Sequence, residues 1–83
     1  MQSDDLAFEW FEKAAAQGMM DAQYELGLAY QNGRGIAESQ EAGFEWHLKA
    51  AEQSHQKAIT QVALSYILGK GTEVSEAKAK DWA

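Results

Sequence analysis

Two histidines are the residues of this sequence with the most possible chemical roles, because imidazole can bind a metal ion or act as a base. His47 and His55 are eight residues apart on different predicted elements, so they do not form the i, i+4 pair of a helical metal site. Ser54 precedes His55, but adjacency in sequence supplies neither the base nor the orienting group of a nucleophilic serine. We predict no metal, no cofactor and no enzymatic activity, and interpret His47 as a surface or flank residue.

Gly33 and Gly35 resemble part of a phosphate-binding loop. They follow a predicted helix and not a strand, and they lack the third glycine and the lysine-serine pair of such loops. Glycine readily adopts the left-handed conformation that ends a helix. We therefore interpret this pair as a helix C-cap.

Acidic residues cluster near the start of the chain and could bind calcium or a basic partner. Acids in a first helical turn also stabilise the helix, and a solvated helix face explains them more simply. These residues are Asp4, Asp5, Glu9 and Glu12.

The charge of the chain argues against two classes of partner. Its 83 residues carry 13 acidic and 7 basic side chains, for a formal net charge of −6. Such a surface repels phosphate backbones and anionic lipids, so we expect neither nucleic acid nor a membrane as partner. No run approaches the roughly 18 apolar residues of a membrane-spanning helix. We expect a soluble chain, and the sequence does not indicate its compartment.

The three tryptophans show how the chain is organised. Trp10, Trp46 and Trp82 are each 36 residues apart. Aligning residues 10–45 with residues 46–81 gives eleven identities without a gap, including rare tyrosine and Gly-x-Gly positions. The sequence therefore contains about two repeats of 36 residues.

Each repeat reads as two helices joined by turns. Alanine and other good helix formers dominate, and the absence of proline and cysteine disfavours a β-rich or disulfide-stapled fold. Ser39 is a plausible N-cap, and the same serine recurs one repeat later. The sequence predicts an all-α fold. Its helices are expected over about 3–17, 20–32, 39–53, 56–68 and 75–83.

Aromatic side chains recur in step with these repeats. We interpret them as packing between stacked helices and not as a ligand box, because their spacing follows the structural unit. If Trp46 is fully buried in this core, its replacement by alanine should cost about 3 to 5 kcal/mol. The aromatic set is Phe8, Trp10, Phe11, Tyr24, Tyr30, Phe44, Trp46 and Tyr66.

A longer motif surrounds the first tryptophan. Trp10 is followed by Lys13-Ala14-Ala15 and Gln17-Gly18, and residues 22–35 then read A-Q-Y-E-L-G-L-A-Y-Q-N-G-R-G. This pattern resembles a unit of the Sel-one-like repeat family, a branch of the tetratricopeptide-like helical solenoids. The second unit keeps the skeleton, with substitutions at Ser54, Thr60 and Ala63.

The resemblance implies an α-α superhelix, a right-handed solenoid of antiparallel helix pairs that serves as a scaffold or adaptor, often in bacterial proteins. It also implies that the first helix of each pair, here 20–32 and 56–68, lines a concave surface for a protein or peptide partner. The alternative is a solenoid that binds a small ligand or hydrolyses one, which would require a deep pocket with convergent polar groups. The expected partner-binding residues are Gln23, Tyr24, Gln31 and Thr60.

Both ends of the sequence interrupt a repeat. The first residues correspond to the second helix of a pair, and the last stop about two turns into a helix that the family continues. A solenoid end otherwise exposes a face made for a neighbouring repeat. We expect the single domain of residues 1–83 to be a fragment of a longer array or to self-associate through its ends.

Overall fold

A computed structural model describes residues 3–82, and their side chains from Leu6 onward, so the side chains of Asp4 and Asp5 lie outside it. The described residues form five helices and no strand, which confirms the predicted all-α class. Each helix begins and ends within one residue of its predicted bounds, and Ala83 lies outside the described residues. The helices are α1 (Ser3–Ala16), α2 (Met20–Asn32), α3 (Gln40–Glu52), α4 (Gln56–Leu68) and α5 (Glu76–Trp82).

The helices stack in chain order, each packed on the one before it and the one after it. Short turns join them, so neighbouring helices run antiparallel. The molecule is elongated, measuring 43 × 22 × 15 Å. Residues of one helix therefore contact residues of the adjacent helices, as expected for a solenoid.

Local chemistry fixes the ends of the helices. The Ser39 hydroxyl accepts a hydrogen bond from the Ala42 N–H at 3.1 Å, so the predicted N-cap of α3 is confirmed. Gly33 ends α2 in the left-handed conformation, with φ +66°, and its N–H donates to the carbonyl of Ala29. The interpretation of the Gly33 loop as a helix cap is therefore confirmed.

Two apolar clusters form the core, and one repeats the other. In each, a phenylalanine meets a tyrosine edge-on: Phe8 with Tyr30 at 5.7 Å between ring centroids, and Phe44 with Tyr66 at 5.3 Å. These pairs are 36 residues apart, so the repeat of the sequence is a repeat of packing. The N-terminal cluster buries Phe8, Ala14, Ala15, Ala22, Leu26 and Ala29. The C-terminal cluster buries Phe44, Ala50, Ala51, Ala58, Val62, Tyr66 and Ala79.

The tryptophans are less buried than a shared core position implies. Trp46 is half-buried against the N-terminal cluster, and Trp82 is half-buried against the C-terminal cluster. Trp10 is 68% exposed. The indoles of α3 and α5 thus pack on the preceding layer of the stack, and the described residues contain no layer before α1. Trp46 therefore does not meet the condition of full burial on which its predicted cost depends. The expectation that Trp10 packs between stacked helices is wrong, because no described helix precedes α1.

Candidate binding surface

Helices α2 and α3 cross closely because each has a glycine at the crossing. A Cβ atom built on Gly27 would overlap the imidazole ring of His47. A Cβ atom built on Gly43 would lie 2.9 Å from the carbonyl oxygen of Gly27 and 2.8 Å from Cγ of Gln31. The missing side chains leave room for the histidine between the two backbones.

His47 is completely buried at this crossing. Its Nε2 lies 3.2 Å from the carbonyl oxygen of Tyr24, which fixes the tautomer that donates from Nε2. Its Nδ1 is buried and has no hydrogen-bond partner among the described residues. Burial lowers the pKa of His47 to about 4, against the smaller opposing effect of the bond to Tyr24. The interpretation of His47 as a surface residue is wrong, and the side chain is a neutral part of the interior.

Tyr24 lies between two imidazole rings. Its ring centroid is 5.3 Å from that of His47 and 4.8 Å from that of His55. His55 precedes α4, and its Nδ1 accepts the N–H of Ala58 at 3.2 Å, so it is the N-cap of that helix. Its Nε2 lies 2.9 Å from Oδ1 of Asp21 and donates to it, because Nδ1 is already an acceptor. One ring stack thus joins the start of α2 to the start of α4.

An open cleft of about 480 Å³ surrounds the exposed edge of this stack, and we call it the inner cleft. Helix α2 contributes the acidic side chains of Asp21 and Glu25 to its lining, and α4 contributes the basic side chain of Lys57. The Tyr24 ring forms part of the wall. The carboxylate of Asp21 is almost fully exposed there. The lining residues are Asp21, Tyr24, Glu25, His55, Gln56 and Lys57.

The four residues predicted to contact a partner fall in different environments. Tyr24 is half-buried in the inner cleft, and Thr60 is exposed on α4, where its hydroxyl donates to the carbonyl of Gln56. Gln31 is half-buried, its Cγ lies against the crossing at Gly43, and its carbonyl accepts a bond from Gln40. Of the four, only Thr60 is fully exposed, and Tyr24 reaches the inner cleft while it also packs against the C-terminal cluster.

Gln23 does not lie on the surface. Its side chain is 5% exposed, and its Nε2 donates to the carbonyl of Ala15 at 3.3 Å. Its Oε1 accepts from Nε2 of Gln53, which also donates to the carbonyl of Gly18. The expectation that Gln23 is a non-core position is wrong, because its amide ties α1 to the end of α3. The sequence holds a signal of this, since the equivalent residue one repeat later is the apolar Ile59.

Sequence reasoning missed Asp21 and His55 as neighbours of Tyr24. Asp21 is three residues before Tyr24, a spacing that places both on one helix face. His55 lies 31 residues after Tyr24, and only the stacking of successive repeats brings it near. Among the side chains that the structure describes, no three from His, Asp or Glu converge as metal ligands would. Nor does that part of the chain contain a helix with the length and apolarity to cross a bilayer.

Solved structures of bacterial repeat proteins share this fold. A Sel1 repeat protein from Oxalobacter formigenes is 38% identical, with a TM-score of 0.92 over 94% of this chain and 32% of its own. A protective antigen of uropathogenic Escherichia coli with an SLR fold is 29% identical, with a TM-score of 0.88 over 90% of this chain and 16% of its own. Cysteine-rich protein B of Helicobacter pylori is 21% identical, with a TM-score of 0.87, and covers 90% of this chain and 56% of its own.

The present chain thus spans only part of each of these proteins, all of them helical repeat solenoids. No curated protein matches it. The model of the Sel1 repeat matches three times, over residues 1–19, 21–55 and 56–83. The second match covers α2 from its second residue and all of α3, and the third contains both α4 and α5. The two helices per repeat, the stacked clusters and these matches together show that the chain belongs to the Sel1 repeat family.

Proposed function

We propose that this chain is a protein-interaction scaffold that binds a basic segment of a partner protein in the inner cleft. Sel1 repeat proteins are generally interaction scaffolds, and their fold is typically non-catalytic. The single observation that carries the proposal is the Tyr24 ring in the wall of the inner cleft, packed against two imidazoles and flanked by the acidic side chains of Asp21 and Glu25.

Rigidity makes Tyr24 suited to binding. The ring stacks on His55 and packs against His47 with 34° between the ring planes, and His55 is fixed in turn by the cap bond to Ala58. A side chain that is already ordered loses little entropy when a partner binds. Tyrosine also offers a large apolar area together with a polar hydroxyl, which is why it is common at interfaces.

Charge gives the cleft its selectivity. Asp21 and Glu25 stand one helical turn apart on α2, and Asp21 is almost fully exposed. The whole chain carries a net charge of −6, which attracts basic partners over a distance of several ångströms. Lys57, on the other side of the cleft, offers a contact for an acidic residue or a chain terminus. The segment that fits is therefore mainly basic, with an apolar residue to cover Tyr24.

Selection from a library of random twelve-residue peptides tests the proposal. We expect the selected peptides to be enriched in Lys and Arg. Their affinity should fall at least about ten-fold with Tyr24→Ala or Asp21→Asn, the size of loss typical of a central contact. Glu52→Gln, an exposed acid on α3 outside the cleft, is the matched control and should leave the affinity unchanged.

Two outcomes would contradict the proposal. Peptides without basic enrichment would show that the acids of the cleft do not select the ligand. Equal affinities for the wild type and the Tyr24→Ala variant would show that binding occurs elsewhere on the chain. Thr60→Ala tests the second exposed residue on the same face, and a loss there would extend the surface along α4.

A further inference from the structure

The start of α4 is capped by a group that can change its charge. Nδ1 of His55 accepts the N–H of Ala58 at 3.2 Å, and this bond requires a ring nitrogen without a proton. At the starts of α3 and α5, the corresponding bonds are accepted by the hydroxyl groups of Ser39 and Ser75. Imidazole changes charge between about pH 5 and 8, whereas these hydroxyl groups do not. Of these three helix starts, the one at α4 is therefore sensitive to protonation.

Both ring nitrogens of His55 are engaged in its neutral form. Nε2 carries the single proton and donates it to Oδ1 of Asp21 at 2.9 Å, while Nδ1 accepts from Ala58. A second proton can enter only at Nδ1, where it would point at the amide proton of Ala58. Because two N–H groups cannot form a hydrogen bond with each other, protonation of His55 and the cap bond of α4 exclude one another.

Charged and titratable groups lie around His55 on three helices. Carboxylates and ammonium groups do not ordinarily change charge between pH 7.5 and 5.5. Burial lowers the pKa of His47 to about 4, so this ring is almost entirely uncharged over the same range. A change of charge on His55 would therefore occur against a constant background. The surrounding groups are Asp21, Tyr24 and Glu25 of α2, His47 of α3 and Lys57 of α4.

We propose that protonation of His55 releases the basic segment from the inner cleft, an inference that rests on the proposed function. The added proton gives His55 a positive charge 2.9 Å from the Asp21 carboxylate, where it competes with a Lys or Arg of the partner. It also removes the cap of α4, next to which the Tyr24 ring is stacked. Both effects weaken the binding of a basic segment. The cleft is therefore occupied in neutral solution and emptied in mildly acidic solution.

Release by a proton requires the reverse effect as well. Because linkage between two ligands is reciprocal, a basic segment bound at Asp21 disfavours the second proton on His55. Binding at a pH where the ring is partly protonated should therefore expel part of a proton into the solvent. This proton release distinguishes a coupled site from a cleft whose affinity falls for an unrelated reason.

Isothermal titration calorimetry tests the coupling with a selected peptide that contains Lys or Arg, no His, Asp or Glu, and blocked termini. For the wild type, we expect the Kd to rise about three-fold or more from pH 7.5 to 5.5, an effect typical of a surface charge pair. Titrations in two buffers of different ionisation enthalpy, at several pH values in this range, should show proton release on binding.

The His55→Asn variant is the control for both readouts. Asparagine is a good helix cap but cannot titrate, so the Kd of this variant should be the same at both pH values. Its binding should release no proton. His47 is present in both proteins, so its effect on stability cancels in the comparison.

A second measurement needs no partner. In the ¹H–¹⁵N spectrum of the free chain, the amide of Ala58 should shift between pH 7.5 and 5.5 as its acceptor is lost. The amide of Ala42, which Ser39 caps, should not shift. A shift at Ala58 in a chain that binds no peptide at any pH would contradict the proposed function, and the release with it, but not the proton-sensitive cap.

Three further results would overturn the proposal. An Ala58 amide that stays constant while the ring protons of His55 titrate would show that the cap bond survives protonation. Equal affinities of the wild type at pH 7.5 and 5.5 would show that the charge of His55 does not act on the bound segment. A decline of the same size in His55→Asn would assign the pH dependence to another group.

Discussion

The Tyr24 ring lies nearly parallel to the His55 ring, with 4.8 Å between the centroids and 22° between the planes. The two residues belong to consecutive repeats, one on α2 and one at the cap of α4. His55 therefore makes three contacts: it caps α4, stacks on the Tyr24 ring and donates a hydrogen bond to the carboxylate of Asp21. Changes at His55 should affect both the stability of the stack and the shape of the inner cleft.

His55→Ala should lower the free energy of unfolding by about 1 to 2 kcal/mol, since it removes the cap of α4 together with the stacked ring. His55→Asn is the matched control, because asparagine is a good N-cap that cannot stack on Tyr24. We expect the Asn variant to recover most of the cap contribution in urea unfolding. Equal losses for the two variants would show that the cap contributes little.

Acid should destabilise the fold through His47. In the unfolded chain this side chain takes up a proton near pH 6.5, whereas burial lowers its pKa in the folded state to about 4. The unfolded state therefore binds more protons between these values, so the stability is complete above pH 6.5 and falls as the pH decreases toward 4. The loss should reach about 3 kcal/mol at pH 4.

His47→Phe isolates this contribution to the pH dependence. Phenylalanine occupies the equivalent position 11 and does not titrate, while every carboxylate of the chain is retained. Urea unfolding of both proteins at pH 7, 5.5 and 4 should show a shallower decline for the variant. Parallel declines of stability would mean that His47 has the same pKa in the folded and unfolded chains.

Gly27→Ala should destabilise the crossing of α2 and α3 by about 1 to 3 kcal/mol, because the new methyl group overlaps the His47 ring. Combining it with His47→Ala removes the overlap. The double variant should therefore lose less stability than the two single losses added together, and a double-mutant cycle measures the difference. The equivalent positions one repeat later are Ala63 and Ala83, the same two residue types that the double variant carries.

Ser54→Gly should stabilise the chain. Ser54 is in the left-handed region with φ +71°, and the residue at the equivalent turn of the first repeat is Gly18 with φ +90°. A residue with a Cβ atom is disfavoured there by about 1 kcal/mol, which glycine recovers. Thermal unfolding should show a higher Tm for Ser54→Gly and no gain for Ser54→Ala, which keeps the Cβ atom.

Because the tryptophans are only partly buried, each should contribute less to the free energy of unfolding than a core tryptophan would. Trp46→Ala should cost about 2 kcal/mol, less than the replacement of a fully buried indole, because part of its surface remains exposed. Trp10→Ala, at a position 68% exposed, should change the stability of the single chain by less than about 0.5 kcal/mol. Urea unfolding at low protein concentration measures both. A large loss for Trp10→Ala under these conditions would place its indole in a contact within the single chain.

The sequence predicted the helices and the repeat well because both depend on local signals. Ser39 caps a helix and Gly33 ends one through their own neighbours, and the 36-residue spacing of the tryptophans needs no tertiary information. The burial of Gln23 and the exposure of Trp10 were not predicted. Each depends on whether another helix lies beside that face, which is a property of the stack.

The candidate surface was predicted less completely for a related reason. Tyr24 was identified because its helix belongs to the surface that the family resemblance implies. The sequence does not indicate that the imidazole of His47 fills the space beside Gly27. The stack of His47, Tyr24 and His55 combines residues from three helical segments, and no spacing along the sequence marks such a combination.

The Gln53 side chain donates hydrogen bonds to the carbonyl of Gly18 and to Oε1 of Gln23. These bonds connect the end of α3 to the turn between α1 and α2 and to α2 itself. One repeat later the corresponding positions hold Ser54 and Ile59, and an apolar side chain cannot accept such a bond. Coupling between nearest neighbours governs how a linear array melts. The first three helices should therefore melt as one cooperative block.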